Sequence, residues 1–340
     1  MEDILNTAPL TVEKSPLKKG DLEGEVAVIT GAGSNIGLAV ARTLAWLGAS
    51  VVIAEYNAQT GAAAADLINK ETKPGTALFV ETDVTKESSI NNMAKKAIES
   101  FGKVDILDNN AMNMQLGASV LNCTPEVLDA QYAMTARATL MGIRAFVPAM
   151  IQRHHGVVMY MASQPRFGPA PANYCATKSA ATSLVLSLAA ELGSYEKIGV
   201  AAYVFVPGLV GRPRPRPPSQ AQQAAAPRFE GVNPGYDGSM PPEDCAAAIA
   251  YCMVHAGEIH GSGVTAGQVQ KHMGWPFPRP DLVPKPDFER LREGVEIRLW
   301  GYVGQGFAKP GDPTVSISRS DAIPGESLTF HSLMGVAPKK

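Results

Sequence analysis

An apolar, β-branched run at residues 25–30 (EVAVIT) leads straight into the glycine-rich segment TGAGSNIG at residues 30–37, and an apolar-periodic stretch follows over residues 36–47. This is a strand, a tight turn and a helix with no linker between them. The same order then repeats. Residues 50–54, 77–81, 104–107, 156–161 and 200–206 read as strands, with helical patterns at 62–69, 90–101, 124–150 and 174–192 between them. Gly48 and Gly102 stop helices, and Pro207-Gly208 closes the strand at 200–206. Near-continuous apolar strands alternating with helices predict a parallel sheet covered on both faces. Right-handed crossovers make that sheet doubly wound, a Rossmann-type α/β fold.

Past Gly208 the alternation breaks. Residues 212–218 (RPRPRPP) exclude helix and central strand, because proline removes backbone donors. Residues 241–255 are helical again, and residues 263–269 read as a last strand. The predicted organisation is an arm over residues 1–22, one domain over 23–275 with a loop at 209–240, and an extension over 276–340. That extension carries Phe288, Leu291, Val295, Ile297, Leu299, Trp300, Tyr302 and Phe307. A disordered tail has few such residues, so it is expected to order against the core or a neighbouring subunit.

Bulk chemistry removes several function classes. With a net charge of −2, nothing global draws the chain to nucleic acid or an anionic membrane. Cys123, Cys175, Cys245 and Cys252 form no CxxC pair and have no histidine cluster beside them, so they read as reduced thiols and no metal is expected. The acidic start MEDILNTAPL lacks a secretory signal pattern, and no apolar run reaches the ~18 residues of a membrane span. The expected location is the cytoplasm.

Two constellations carry chemistry. Gly31, Gly33, Ser34, Asn35, Ile36 and Gly37 lie where a strand opens into a helix, the context of a dinucleotide fingerprint. Gly31 permits the tight turn and Gly37 lets helix and strand approach, while the helix start offers N–H groups to a pyrophosphate. Glu55 ends the next strand, where a carboxylate accepts hydrogen bonds from ribose hydroxyls. Tyr56 follows it in place of a cation, which favours NAD over NADP. The second constellation is Tyr174 and Lys178, four apart on one helix face. An ammonium beside a phenol favours phenolate, so Tyr174 can exchange a proton with a substrate oxygen. Lys178 can also hold the nicotinamide ribose. Ser163, ending the preceding strand, can hydrogen-bond the same substrate oxygen. Together the three match acid–base catalysis of hydride transfer.

From about Gly24 to Gly274 the chain resembles the short-chain dehydrogenase/reductase family. The resemblance rests on residues 30–37, Asp83-Val84, Asn109-Asn110-Ala111, Ser163, Tyr174xxxLys178 and Pro207-Gly208 in that order. It implies that Asp83 and Val84 sit by the adenine, and that Asn110 and Ala111 line the cofactor groove. It places Pro207, Gly208 and Val210 near the nicotinamide, and Gly267-Gln268 on the last strand. It also implies a homotetramer or homodimer formed through the helices at 124–150 and 174–192.

Four positions depart from the family pattern. Asn35 replaces the middle glycine of the turn, where asparagine tolerates left-handed backbone. Met112 follows Asn-Asn-Ala where glycine is usual. Thr135 stands where many relatives place a catalytic asparagine that supports a relay water. Arg212 replaces the usual threonine after Pro-Gly. On the substrate side, Arg212, Arg214 and Arg216 are candidates to clamp an anion. Phe167, Met112, Met114 and Phe229 are candidate apolar walls, favouring a cyclic or aromatic alcohol or ketone. The expected activity is hydride transfer between NAD(H) and a secondary alcohol or ketone. The alternatives are a non-redox isomerase or lyase on the same scaffold, and a catalytically silent dinucleotide-binding protein.

Overall fold

The computed structural model describes residues 4–113, 118, 120–163, 171–208, 210–211 and 240–274. Seven strands form one sheet: β1 (Val26–Thr30), β2 (Ser50–Glu55), β3 (Ala77–Glu81), β4 (Ile106–Asn109), β5 (Gly156–Met161), β6 (Val200–Val206) and β7 (Gly263–Thr265). Their order is β3-β2-β1-β4-β5-β6-β7 and every pairing is parallel. The order reverses between β1 and β4, which opens a crevice at the carboxyl ends of those strands. The doubly wound parallel sheet expected from the alternating pattern is therefore what the chain forms.

Residues at alternating strand positions feed two cores. One face packs Ile29, Met159, Tyr203 and Phe205 against α1 (Asn35–Trp46), α2 (Ala58–Glu71) and a later helix, Pro242–Val254. The other face packs Val28, Leu107, Val158 and Val204 against α3 (Glu87–Phe101) and two further helices, Ala138–Arg153 and Ala172–Leu192. In chain order the remaining helices are α4 (Pro125–Tyr132), α5 (Ala138–Arg153), α6 (Ala172–Leu192), α7 (Tyr195–Ile198), α8 (Pro242–Val254) and α9 (Ala266–His272). None of the described helices is long and apolar enough to cross a membrane.

The amino-terminal segment packs closely on the first face. Leu5, Val12, Leu17 and Leu22 are buried there. Arg42, 5% exposed, donates to Ala8 O at 2.8 Å and forks onto Glu71 at 2.8 and 2.5 Å. Glu243 on α8 accepts the Ala8 N–H at 3.1 Å. A buried guanidinium is tolerable because carboxylate and carbonyl partners surround it.

Three expected elements shift, each for a local reason. The strand expected at 104–107 lies at Ile106–Asn109, so Asp108 is a central-strand residue. Its carboxylate made the apolar run look finished too early. The strand expected over 263–269 stops at Thr265 and turns into α9. Thr265 Oγ1 accepts the Gln268 N–H at 3.2 Å and Gln268 Oε1 accepts the Thr265 N–H at 3.0 Å, a reciprocal cap that starts a helix. Gly267 and Gln268 consequently lie on α9, not on the last strand. The helix expected over 124–150 divides into α4, a π turn at Ala133–Arg137, and α5. Thr135 sits inside that π turn.

Candidate active site

The turn after β1 is built around two left-handed backbone positions. Gly31 has φ +67° and Asn35 has φ +47°, so asparagine occupies the conformation that the sequence asked of it. Gly37 faces the turn so closely that a Cβ would lie 2.3 Å from Gly31 O. Ser34 stands at the helix start, and no side chain caps the first N–H groups of α1. Glu55 reaches back from the end of β2: its Oε2 accepts the Gly33 N–H at 3.0 Å and its Oε1 accepts the Asn57 N–H at 3.0 Å. Turn and carboxylate thus form one rim of the crevice. A Cβ at Gly33 would lie 2.6 Å from Glu55 Cγ and 2.7 Å from Thr60 Oγ1, so a side chain there would push Glu55 out of this position.

Across the crevice, Thr30 Oγ1 accepts the N–H groups of Asn110 and Ala111, each at 3.0 Å, and donates to Asp108 O at 3.2 Å. Asn110 Nδ2 donates to Thr30 O at 2.8 Å. These bonds lock the segment after β4 to the turn after β1. Asp83 sits past β3 and accepts from the Thr85 N–H at 3.0 Å, the Thr85 hydroxyl at 2.6 Å and Lys86 Nζ at 3.0 Å. Burial opposes its ionisation, but those donors outweigh it and hold the carboxyl below its ordinary pKa. Val84 beside it is buried. Gly208, with φ +75°, follows β6 and Pro207, and Val210 pairs with Met240 in an isolated parallel bridge. The crevice therefore offers an uncapped helix start, a glycine-rich turn and a carboxylate at its rim, a set of groups that fits a dinucleotide.

The titratable centre lies beside it, at the end of β5. Lys178 on α6 is 4% exposed, and its Nζ donates to Met161 O at 2.5 Å. The same nitrogen stands 4.9 Å from the Tyr160 ring centroid and 5.9 Å from that of Tyr174. Burial pushes the Lys178 ammonium down to about 7, and Asp108 opposes that fall. Ser163 follows two residues after Met161 and is half-buried, as is Tyr174. Asn173 Oδ1 accepts the Ala118 N–H at 3.0 Å, and Ala118 O accepts the Ala172 N–H at 2.8 Å, which fixes the start of α6.

Thr135 does not present a free hydroxyl to this centre. Its Oγ1 donates to Gln131 O at 2.7 Å within the helix. Gln131, 1% exposed, points Nε2 at Met112 Sδ at 3.2 Å. Met114, Phe167, Arg212, Arg214, Arg216 and Phe229 lie outside the described residues, as does the extension from residue 276.

Two residues that motif matching passed over belong to this centre. Tyr160 presents its ring to Lys178. Asp108 is fully buried, and neither carboxylate oxygen has a hydrogen-bond partner among the described residues. Burial raises its pKa to about 8, with Lys178 pulling the other way. The signal for Asp108 was present as a carboxylate within an apolar strand.

The unfolded chain loses the Asp108 proton near the ordinary carboxyl value, whereas the folded chain keeps it to about pH 8. Between those values the folded state binds the extra proton, so this group removes stability as pH rises. Asp108→Asn cannot ionise and escapes that loss. The variant is expected to gain on the wild type between about pH 5 and about pH 8, read as urea midpoints. A difference that stays flat or runs the other way means that Asp108 is ionised in the fold.

Comparison with known proteins places this geometry in a family. The family model described as short chain dehydrogenase matches residues 25–221. An uncharacterized oxidoreductase of Staphylococcus epidermidis is 30% identical over 243 residues, covering 71% of this chain and 96% of the relative. Short-chain dehydrogenase reductase 3a of Arabidopsis thaliana is 32% identical over 196 residues, covering 56% of this chain and 75% of the relative. Among solved structures, a 3-ketoacyl-(acyl-carrier-protein) reductase from Brucella melitensis complexed with NADH aligns at 27% identity and TM-score 0.60, covering 72% of this chain and 97% of that one. A metagenomic short-chain oxidoreductase in complex with NADP aligns at 27% identity and TM-score 0.55, covering 69% of this chain and 92% of that one. With the match spanning the turn after β1, the crevice and the Tyr174–Lys178 helix, this chain belongs to the short-chain dehydrogenase/reductase family.

Proposed function

We propose that the protein transfers a hydride between NAD(H) and a secondary alcohol or ketone, with Tyr174 as the acid–base. The observation that carries this is the placement of the Lys178 ammonium, tethered at the end of β5 and 5.9 Å from the Tyr174 ring, beside a crevice that fits a dinucleotide. An ammonium there favours the phenolate, which takes the hydroxyl proton of an alcohol or returns one to a ketone. Ser163 orients the same substrate oxygen. Gly31, Gly33, Ser34, Asn35, Ile36 and Gly37 cradle the pyrophosphate, and Glu55 binds the adenosine ribose. Asp83, Val84, Asn110, Ala111, Pro207, Gly208 and Val210 line the rest of the groove. When bound, the nicotinamide supplies the carbon that gives or accepts the hydride.

The cofactor preference rests on Glu55. Its two oxygens already accept backbone N–H groups, and Tyr56 next to it is 72% exposed and brings no positive charge. A 2′-phosphate at that rim meets a carboxylate with no cation from these residues. The expected result is a kcat/KM at least about tenfold higher with NAD than with NADP, since like charges juxtaposed in a site cost several kcal/mol. Reduced-nicotinamide absorbance across a panel of cyclic and aromatic alcohols and ketones measures it. Equal use of both cofactors, or preference for NADP, refutes the assignment of Glu55. One observation favours a second reading. Thr135 spends its hydroxyl inside its own helix, which fits a protein that binds cofactor without turnover. Tight dinucleotide binding with no activity on the whole panel would establish it.

A further inference from the structure

Lys178 has more holding it than a carbonyl. Its Nζ donates to Met161 O, and the Tyr160 ring lies 4.9 Å from the same nitrogen, inside the range of a cation–π contact. Tyr160 is one residue before Met161 on β5, so strand geometry places the ring face and the carbonyl oxygen around one point. The ring is 2% exposed, and there a cation–π contact is stronger than at a surface. The hydroxyl, by contrast, has no hydrogen-bond partner among the described residues. Tyr160 lines a cavity of ≈ 10 Å³ together with Thr30, Asn109, Thr135 and Thr139, space for about one water. The ring thus has a partner in Lys178, whereas the hydroxyl has none among the described residues.

We propose that Tyr160 is a positioning residue, whose ring face holds the Lys178 ammonium against the Met161 carbonyl and beside Tyr174, while its hydroxyl takes no part. The role rests on the hydride-transfer reading, because it acts through Lys178 on Tyr174. Among the described residues, the titratable groups that act on this ammonium are Asp108 from β4, Tyr160 from β5 and Tyr174 from α6 itself. Asp108 acts through its carboxyl on β4 and Tyr160 through its ring face on β5, so the two are separable by substitution. Weakening the ring face disfavours the ammonium, and Lys178 then loses its proton at lower pH. Tyr174 in turn loses its electrostatic support.

The test is an NMR titration of the Lys178 ε-carbon in the full chain with isotope-labelled lysine, the signal being identified by its loss in Lys178→Arg. It needs neither substrate nor cofactor. Tyr160→Phe keeps the ring and is expected to titrate like the wild type. Progressively fluorinated phenylalanines in place of Tyr160 keep the shape but drain the ring face. They are expected to lower the Lys178 pKa stepwise, by about half to one pH unit at full fluorination. The steps should persist in an Asp108→Asn background. Because the series is nearly isosteric, it reports even if Tyr160→Leu fails to fold. A flat series overturns the proposal, and so does a shift in Tyr160→Phe as large as that of the fluorinated rings, which would assign the effect to the hydroxyl. The underlying reading fails separately: full turnover in Tyr174→Phe sinks it whatever Lys178 does, and an inactive Tyr174→Phe with a flat series sinks only the role of Tyr160.

Discussion

Tyr174→Phe is expected to lose about 10²–10⁴-fold in kcat, the usual contribution of a positioned acid–base, while dinucleotide affinity stays within about twofold. The substitution removes one oxygen and leaves the ring. The ring's neighbourhood is what the structure specifies: Lys178 Nζ stands 5.9 Å from its centroid, and the start of α6 is pinned through Asn173 and Ala172 to Ala118. None of these contacts depends on the phenol oxygen, so they survive its removal. The loss should therefore fall on kcat and kcat/KM together, the signature of an interaction made only in the transition state. Steady-state kinetics on the best panel substrate and a fluorescence titration with NADH measure the two halves. A variant that turns over at the wild-type rate removes Tyr174 from the chemistry.

How far the sequence reveals this site depends on what kind of residue is involved. The strand–turn–helix at residues 25–47 was legible because its apolar periods and glycines are local signals, and the doubly wound architecture follows from the repeated alternation with right-handed crossovers. Asn35 was legible for the same reason: its φ of +47° is a backbone property that asparagine tolerates. Tyr174 and Lys178 share a helix face by spacing. Other features depend on what lies across the sheet. Asp108 hid the last half of β4, because a carboxylate inside a strand contradicts the burial pattern until its neighbours Ile29 and Met159 are known. The ring of Tyr160 meets Lys178, which lies 18 residues on in another element, and no local pattern encodes that. Thr135 was recognised by position, but the direction of its hydroxyl is decided by the π turn around it. The cap between Thr265 and Gln268 was written in the sequence as Thr-x-x-Gln, and the apolar residues around it drew the reading toward a strand.

Gly37→Ala tests the other half of the site, and its effect should reach both stability and cofactor binding. A Cβ at position 37 lies 2.3 Å from Gly31 O, 2.9 Å from Gly31 C and 2.7 Å from Asn110 Nδ2. The first two are backbone atoms, which do not swing aside. Gly31 cannot retreat either, since its N–H donates to Ala54 O at 2.8 Å and Asn110 holds Thr30 O at 2.8 Å. The strain must move α1, whose Leu38, Ala41 and Leu44 are packed in the first core. Overpacking of this kind costs about 1–3 kcal/mol, which should appear as a lower urea midpoint with an unchanged m-value. Moving α1 also moves its uncapped N–H groups away from the turn, so dinucleotide affinity is expected to fall by at least about tenfold, roughly one charge-assisted hydrogen bond. Asn35→Gly is the matched control. It relieves a left-handed backbone in the same turn without adding an atom, and should leave affinity within about twofold. Weakened binding in Gly37→Ala with binding preserved in Asn35→Gly locates the pyrophosphate at the start of α1. Wild-type affinity in Gly37→Ala would mean that the dinucleotide, if it binds, does not rest on this turn.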